Sequence, residues 1–298
     1  MEQDFRPVLQ PGAILHFGAL LLNISVVGFL IILALSQPVR GFFILYLILS
    51  LVAFIPVPII AYRLLALLRA KYSISREGVS IRWGLRSEII PISAIEWVRA
   101  EKDIPFSLPQ PRFSVEGAVL GTINHADLGP IEFISSTNRS LTLIATPQKV
   151  YAISPADSRS FINAFNRSAE MGSIEPIQAK SLGANFLAAS LLKDKLARSL
   201  IFSAIILSIA LLVVVSFIIP TRTTIPFGFT PIGQALETSP SERLLLLPFL
   251  SILMLVVDIA LGAYFYRKEG FRTAAYFVFA SALILPLSFL GVIALLIL

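Results

Sequence analysis

The sequence predicts an α+β membrane protein. Five transmembrane helices are expected to carry a water-soluble insert of about seven strands and one helix between the second and third of them. Three observations lead there. Of the 298 residues 56% are apolar and only 14% charged, where a soluble domain carries roughly 25% charge. Five apolar stretches reach the roughly 20 residues that a helix needs to cross a bilayer. Between the second and third, charge rises and the apolar period shifts to two, the signature of half-buried strands.

The spans are expected at 13–35, 41–68, 197–219, 244–266 and 273–297. Hydrocarbon offers the backbone no hydrogen-bond partner, so each must be helical. The first run is far longer than the 7–15-residue core of a signal peptide. Its leader MEQDFRPVLQ sets Glu2 and Asp4 against Arg6 alone, so a retained helix is expected. Pro56 and Pro58 predict a kink in the second span. The chain then divides into a transmembrane hairpin (1–69), the insert (70–170), a linker with an amphipathic segment (171–196) and a three-helix membrane domain (197–298). In the linker, FLAASLLKDKLARSL either lies on the membrane surface or extends the third helix.

Basic residues near span ends set the orientation. Arg69, Lys71 and Arg76 follow the second span, Lys193, Lys195 and Arg198 precede the third, and Arg267, Lys268 and Arg272 join the fourth to the fifth. All three clusters fall on one side, expected to be cytoplasmic; the other side has Arg40, Arg222 and Arg243. The N-terminus and the insert are thus expected inside and the C-terminus outside, in a multi-pass protein of the cell membrane. From Arg69 to Arg198 there are 16 basic and 12 acidic residues, an excess that positive-inside topology explains. No basic run is interleaved with aromatics, so no nucleic-acid partner is expected.

Within the insert, GVSIRWG sets Val79, Ile81 and Trp83 against Ser80 and Arg82. SEIIPISAIEWVRAE continues with Ile90, Ile92, Ile95, Trp97 and Arg99 on the buried phase. REG, GLRS, STNRS and TPQK supply turns; PIEFISS, SLTLIAT and KVYAIS supply later strands. Residues 103–129, with the three prolines of IPFSLPQPRF, read as an irregular excursion. In VYAISPADSRSFINAF, Ser154 at an N-cap, Pro155 at the first helical position and Asp157 at the third predict a capped helix. Phe161, Ile162 and Phe165 form its apolar face, and Arg159, Asn163 and Arg167 point elsewhere.

The same serine raises the question of catalysis. A serine nucleophile needs a base, and the only histidine of the insert, His125, lies in a turn-like TINHADLG with no G-x-S-x-G elbow nearby. There are no cysteines, which excludes thiol catalysis, disulfides and Cys-ligated metals. The chain is read as no enzyme, with no cofactor and no metal site.

YSISREGVSIRWGLRSEIIPISAIEWV resembles the opening, and GPIEFISSTNRSLTLIATPQKVYAISPADSRSFINAF the closing half, of bacterial PH-like (pleckstrin-homology-like) domains set in membrane proteins. The resemblance covers roughly Lys71 to Arg167. It implies a barrel or sandwich closed by a C-terminal helix, and a non-enzymatic role. By the same resemblance Lys71, Arg76, Arg82 and Arg86 are candidates for contact with a lipid headgroup or partner, diluted by Glu77 and Glu88.

Inside the membrane, Asp258 is a functional candidate because a buried acid is costly there. His16, Asn23 and Arg63 are its candidate partners. The function expected is a binding or scaffold module at the membrane surface. Its partners would be the bilayer and an anionic lipid, protein or peptide on the cytoplasmic side. The alternative is a transporter or channel component using Asp258.

Overall fold

The computed structural model describes all residues except 1, 38–40, 106–107, 113, 172–178, 183–189, 227–237, 269 and 298. Arg40, much of the 171–196 linker and the middle of the loop before the fourth span therefore lie outside the described residues. Among the described residues five helices are long and apolar enough to cross a membrane: Gln10–Ser36, Phe42–Leu68, Lys195–Thr221, Ser241–Arg267 and Arg272–Leu295. Each bound lies within a turn of its expected position. The chain forms two compact units, Met1–Leu21 with Ile59–Phe186 and Leu22–Pro58 with Leu187–Leu298.

The first unit opens with a short strand, β1 (Gln3–Phe5), before helix α1 (Gln10–Ser36). The second span is two helices, α2 (Gly41–Phe54) and α3 (Pro56–Leu68). Pro56 has no N–H to continue the ladder and its ring crowds the preceding turn, so the α-helix stops at Phe54. The N–H of Ile55 instead closes a tighter turn on Val52 at 3.2 Å.

Among the described residues eight strands follow between Lys71 and Ile153: β2 (Lys71–Ile74), β3 (Gly78–Trp83), β4 (Arg86–Pro91), β5 (Trp97–Ala100), β6 (Val119–His125), β7 (Gly129–Ser135), β8 (Thr142–Ala145) and β9 (Val150–Ile153). Helix α4 (Ser158–Met171) and strand β10 (Lys180–Leu182) complete the unit. One sheet has the order β1-β2-β3-β4-β10, the other β5-β8-β9-β7-β6. All pairs are antiparallel except β7 with β9. Among the described residues the two ladders stay separate and do not close into a barrel.

Their facing sides share one core. Tyr72, Ile74, Val79, Ile81, Trp83 and Ile90 from the first sheet meet Val98, Ile134, Ile144, Tyr151 and Ile153 from the second. Alternation explains β3, where Val79, Ile81 and Trp83 are buried and Arg82 is exposed. It fails for β8 and β9, which are buried at every position. Their outward residues, Leu143, Ala145, Val150 and Ala152, form a second cluster with Ile131 and Phe133, against which Ile104 and Leu108 pack. The irregular 103–129 region thus begins as the cover of this outer face. A strand covered on both faces reads as a continuous apolar run.

The phase expected for β5 is corrected. Val98 and Ala100 are the buried residues, and Val98 joins the shared core. Trp97 packs on the outer cluster, and the Arg99 guanidinium lies 5.2 Å from the centre of its ring. The 3-10 turn at Ile92–Ala94 resets the alternation.

The second unit packs α5 (Lys195–Ile218), α6 (Leu246–Arg267) and α7 (Arg272–Ile297) together. The Ser208 and Ser251 hydroxyls pair at 3.1 Å. Gly262 sits so tightly on Phe279 that a β-carbon there would collide with the ring. Asp194 caps α5, its Oδ1 accepting from the N–H groups of Leu196 (3.0 Å) and Ala197 (3.2 Å). The helical turn at 190–193 breaks at this cap; of FLAASLLKDKLARSL, Lys195–Leu200 belong to α5 and residues 186–189 lie outside the described residues. The other oxygen of Asp194 accepts from Tyr266 (2.8 Å) on α6 and Tyr276 (2.6 Å) on α7. One carboxylate therefore ties three helices. The Tyr276 hydroxyl, with that of Tyr266, holds it below its usual range.

Candidate binding site

The stretch that raised the question of catalysis is a joint. Ser154 is buried, and its Oγ accepts from the N–H of Ser136 at 2.7 Å and lies 2.9 Å from the Ser136 hydroxyl. Its own N–H donates to the Tyr72 hydroxyl at 3.4 Å, which donates to the Ile134 carbonyl at 2.9 Å. Burial pushes the Tyr72 phenol well up. Ser154 is therefore not the helix cap. That role belongs to Asp157, whose carboxylate accepts from the Ser160 N–H at 3.0 Å and the Ser160 hydroxyl at 2.6 Å. These bonds hold Asp157 below the usual carboxylate range. The helix starts three residues later than expected because Pro155 is engaged in a β-bridge with Pro7. Behind the cap, Phe161 and Phe165 are buried in the shared core and Ile162 packs against it.

The four candidate basic residues do not converge. Lys71 and Arg82 are cross-strand partners on β2 and β3. Lys71, however, is committed to Asp4 at 2.8 Å; that lysine pulls the Asp4 carboxyl below its usual range. Arg76 donates to the Met171 sulfur at 3.5 Å. Arg86 contacts Glu132 and, at 3.0 Å, Glu88. Glu88, only 1% exposed, also accepts from Ser181 at 2.9 Å, and Glu132 accepts from Lys149 at 2.6 Å. This network bridges the two sheets. Burial alone would raise Glu132, but Lys149 and Arg86 outweigh it and hold the carboxyl low. Burial alone would likewise lower Lys149, and Glu132 outweighs it.

Two turns of the sandwich dock on the ends of the membrane helices. The Leu85 N–H donates to the Tyr62 hydroxyl of α3 at 3.0 Å. Beside it Gly84, at φ +52°, leaves no room for a β-carbon against Ala66 and Tyr62. Gly117, at φ +92°, lies against Gly12 and His16 of α1. His16 is buried and donates from Nδ1 to the Gly12 carbonyl at 2.8 Å. Leu9, Ala13, Ala66 and Leu67 join the sandwich core. The described geometry is thus a two-sheet sandwich, a capped closing helix and a core continued into two helix ends.

Residues 70–169 match the family model of the bacterial PH domain. No curated protein and no solved structure matches the chain significantly. The matched region takes in β2–β9 and almost all of α4. Its first sheet is completed at both edges by segments from outside the match, β1 and β10.

Asp258 lies on α6 inside the fourth span, half-buried, and has no hydrogen-bond or ion-pair partner among the described residues. Asn23 is on α1 and is engaged in an interaction of its own. Sequence reasoning missed Glu132, Lys149 and the Asp194–Tyr266–Tyr276 clasp. In each case the partners are distant in the chain, and no local pattern marks them. It also missed a surface groove beside the PH domain, lined by Gln3, Ser160, Asn163, Asn166 and Arg167. Only its helical wall was legible, as the polar face of α4.

Proposed function

We propose that this protein is a membrane-anchored, non-catalytic binding module, whose PH domain docks a protein or peptide at the cytoplasmic face. The observation that carries this reading is the core itself, which takes in residues of α1 and α3 as well as of both sheets. A domain built into its anchors is held at the membrane surface with a fixed set of faces outward. Docking then costs less ordering entropy than on a loose tether.

Sidedness follows from two supports. Strand β1 precedes the first span and pairs with β2 after the second, so leader and PH domain share one side. The three basic clusters make that side cytoplasmic. Five spans then leave the C-terminus outside. Headgroup recognition through Lys71, Arg76, Arg82 and Arg86 is the weaker partner class, because Lys71 and Arg86 are neutralised by acids of the chain itself. Catalysis at Ser154 is disfavoured by its burial and its use as an acceptor of the Ser136 N–H.

The test uses the full chain in nanodiscs, since β1 belongs to the sheet. Proteins retained from a membrane extract are purified singly and titrated back, in neutral and in anionic lipid. At least one should bind saturably with similar affinity in both. Absence of any saturable polypeptide binding removes this reading; binding that requires anionic lipid alone moves it to a lipid ligand.

One observation favours a second reading, a transport or channel component. Asp258 stands in a span without a partner among the described residues, where an acid costs about 2.5–3.5 kcal/mol on insertion scales. Replacing Asp258 with Asn should then abolish a flux and leave folding intact, and an unchanged flux would exclude it.

A further inference from the structure

Strand β1 ends its sheet, so among the described residues one of its edges faces no neighbouring strand. Beyond that edge stands the polar face of α4. Between them runs the open groove of about 510 Å³ lined by Gln3, Ser160, Asn163, Asn166 and Arg167. Its size falls within the ~300–1,000 Å³ of ordinary ligand clefts.

The backbone of the β1 edge is available. Past the strand, the Arg6 carbonyl accepts from the Ala156 N–H at 2.9 Å and the Val8 N–H donates to the Ser154 carbonyl at 3.3 Å. Backbone groups of an extended chain alternate in direction, so Asp4 presents its N–H and carbonyl on the same side as Arg6 and Val8. The Asp4 carboxylate is itself turned to Lys71 and Ser73, so its charge is already compensated.

The opposite wall supplies side chains with spare capacity. Asn163, Asn166 and Arg167 are exposed on α4. Among the described residues neither they nor the Gln3 side chain has a hydrogen-bond or ion-pair partner. Each amide offers donors and an acceptor together, the set needed to pair with a peptide group. Arg167 offers a planar fork that matches a carboxylate.

From this juxtaposition we propose that the groove between β1 and α4 is a strand-addition site for an extended polypeptide segment. The segment pairs with the free edge of β1, its peptide groups meet Gln3, Asn163 and Asn166, and a carboxylate on it meets Arg167. The proposal rests on the binding-module reading and supplies its site and partner class. Among the described residues Arg167 is the one cation lining this amide-rich groove; this fits one carboxylate on a peptide better than a polyanionic headgroup, which calls for a cluster of basic side chains.

The experiment selects short random displayed peptides against the full chain in nanodiscs, then titrates synthetic copies of the winners. The winners should carry Asp or Glu at a fixed position. Binding should fall about tenfold or more in Arg167→Glu and in Asn163→Lys, and stay unchanged in Arg99→Glu on another surface. A peptide whose acid is replaced by Lys should recover affinity for Arg167→Glu, which separates charge recognition from misfolding. Winners indifferent to Arg167 and Asn163 would overturn the groove and leave the binding-module reading standing. Failure to select any peptide would also overturn the groove, while folded partners remain testable in the membrane-extract titration.

Discussion

Asp157 takes the capping role that the spacing gives to Ser154, and Ser154 serves the Ser136 N–H instead. Three residues apart, with a proline between, they look like one cap, yet each serves a different neighbour. Asp157→Ala should lower the melting temperature of the full chain, and Asp157→Asn should restore most of it, because Asn caps as well as Asp. Ser154→Ala should cost more, about 1–3 kcal/mol, because it leaves the buried Ser136 N–H without its acceptor. A thermal or denaturant melt of the three variants checks the order, and Asp157→Ala as the more damaging change would contradict it. The helix and its apolar face were legible because Phe161, Ile162 and Phe165 repeat locally. The true cap was not, because Pro155 is diverted by Pro7, about 150 residues away.

Charge matters most between elements, where β4, β7 and the start of β9 are tied by Arg86, Glu88, Glu132 and Lys149. The Glu132 carboxyl is held low, so its contribution is present above the ordinary carboxylate range and lost as pH falls through its folded value. The Lys149 ammonium is held high, so its contribution is present below the ordinary lysine range and lost as pH rises through its folded value. The sandwich should therefore weaken on the acid side below about pH 4 and on the alkaline side above about pH 10. Glu132→Gln should cost on the order of 2 kcal/mol at neutral pH and flatten the acid limb. Stability measured against pH decides this; an unchanged acid limb in the variant would show that Glu132 carries no linkage. Among the membrane helices, Asp194→Ala removes a cap and the shared acceptor of Tyr266 and Tyr276, for a loss of about 1 kcal/mol or more. Tyr276→Phe should lose only part of it, as read by thermal unfolding in one detergent. Strand β3 was legible from its alternation. Strands β8 and β9 show none, because both of their faces are covered.

Over the whole molecule, composition and run length disclosed the five apolar helices, while the orientation proposed from the basic clusters is a prediction of the positive-inside rule. The union of the leader with the PH domain was not legible, since MEQDFRPVLQ carries no strand period and pairs with β2 only after two membrane spans intervene. The chain has no cysteine, so single cysteines report sidedness cleanly. Cysteines at Glu2 and at Arg139 should be labelled by an impermeant reagent only after the membrane is opened, and one at Thr223 should be labelled in intact cells. Labels at Glu2 and Arg139 on opposite sides would break the β1–β2 pairing. The most direct measurement of the binding-module reading is photo-crosslinking in living cells, with the photoreactive residue placed in turn at Arg82, Arg99 and Asn166 of the full chain. A discrete protein adduct at one or more of these positions, saturating as expression of the photoreactive chain rises, is the result predicted. No adduct at any of them, with the chain folded and inserted, would contradict a protein- or peptide-docking role.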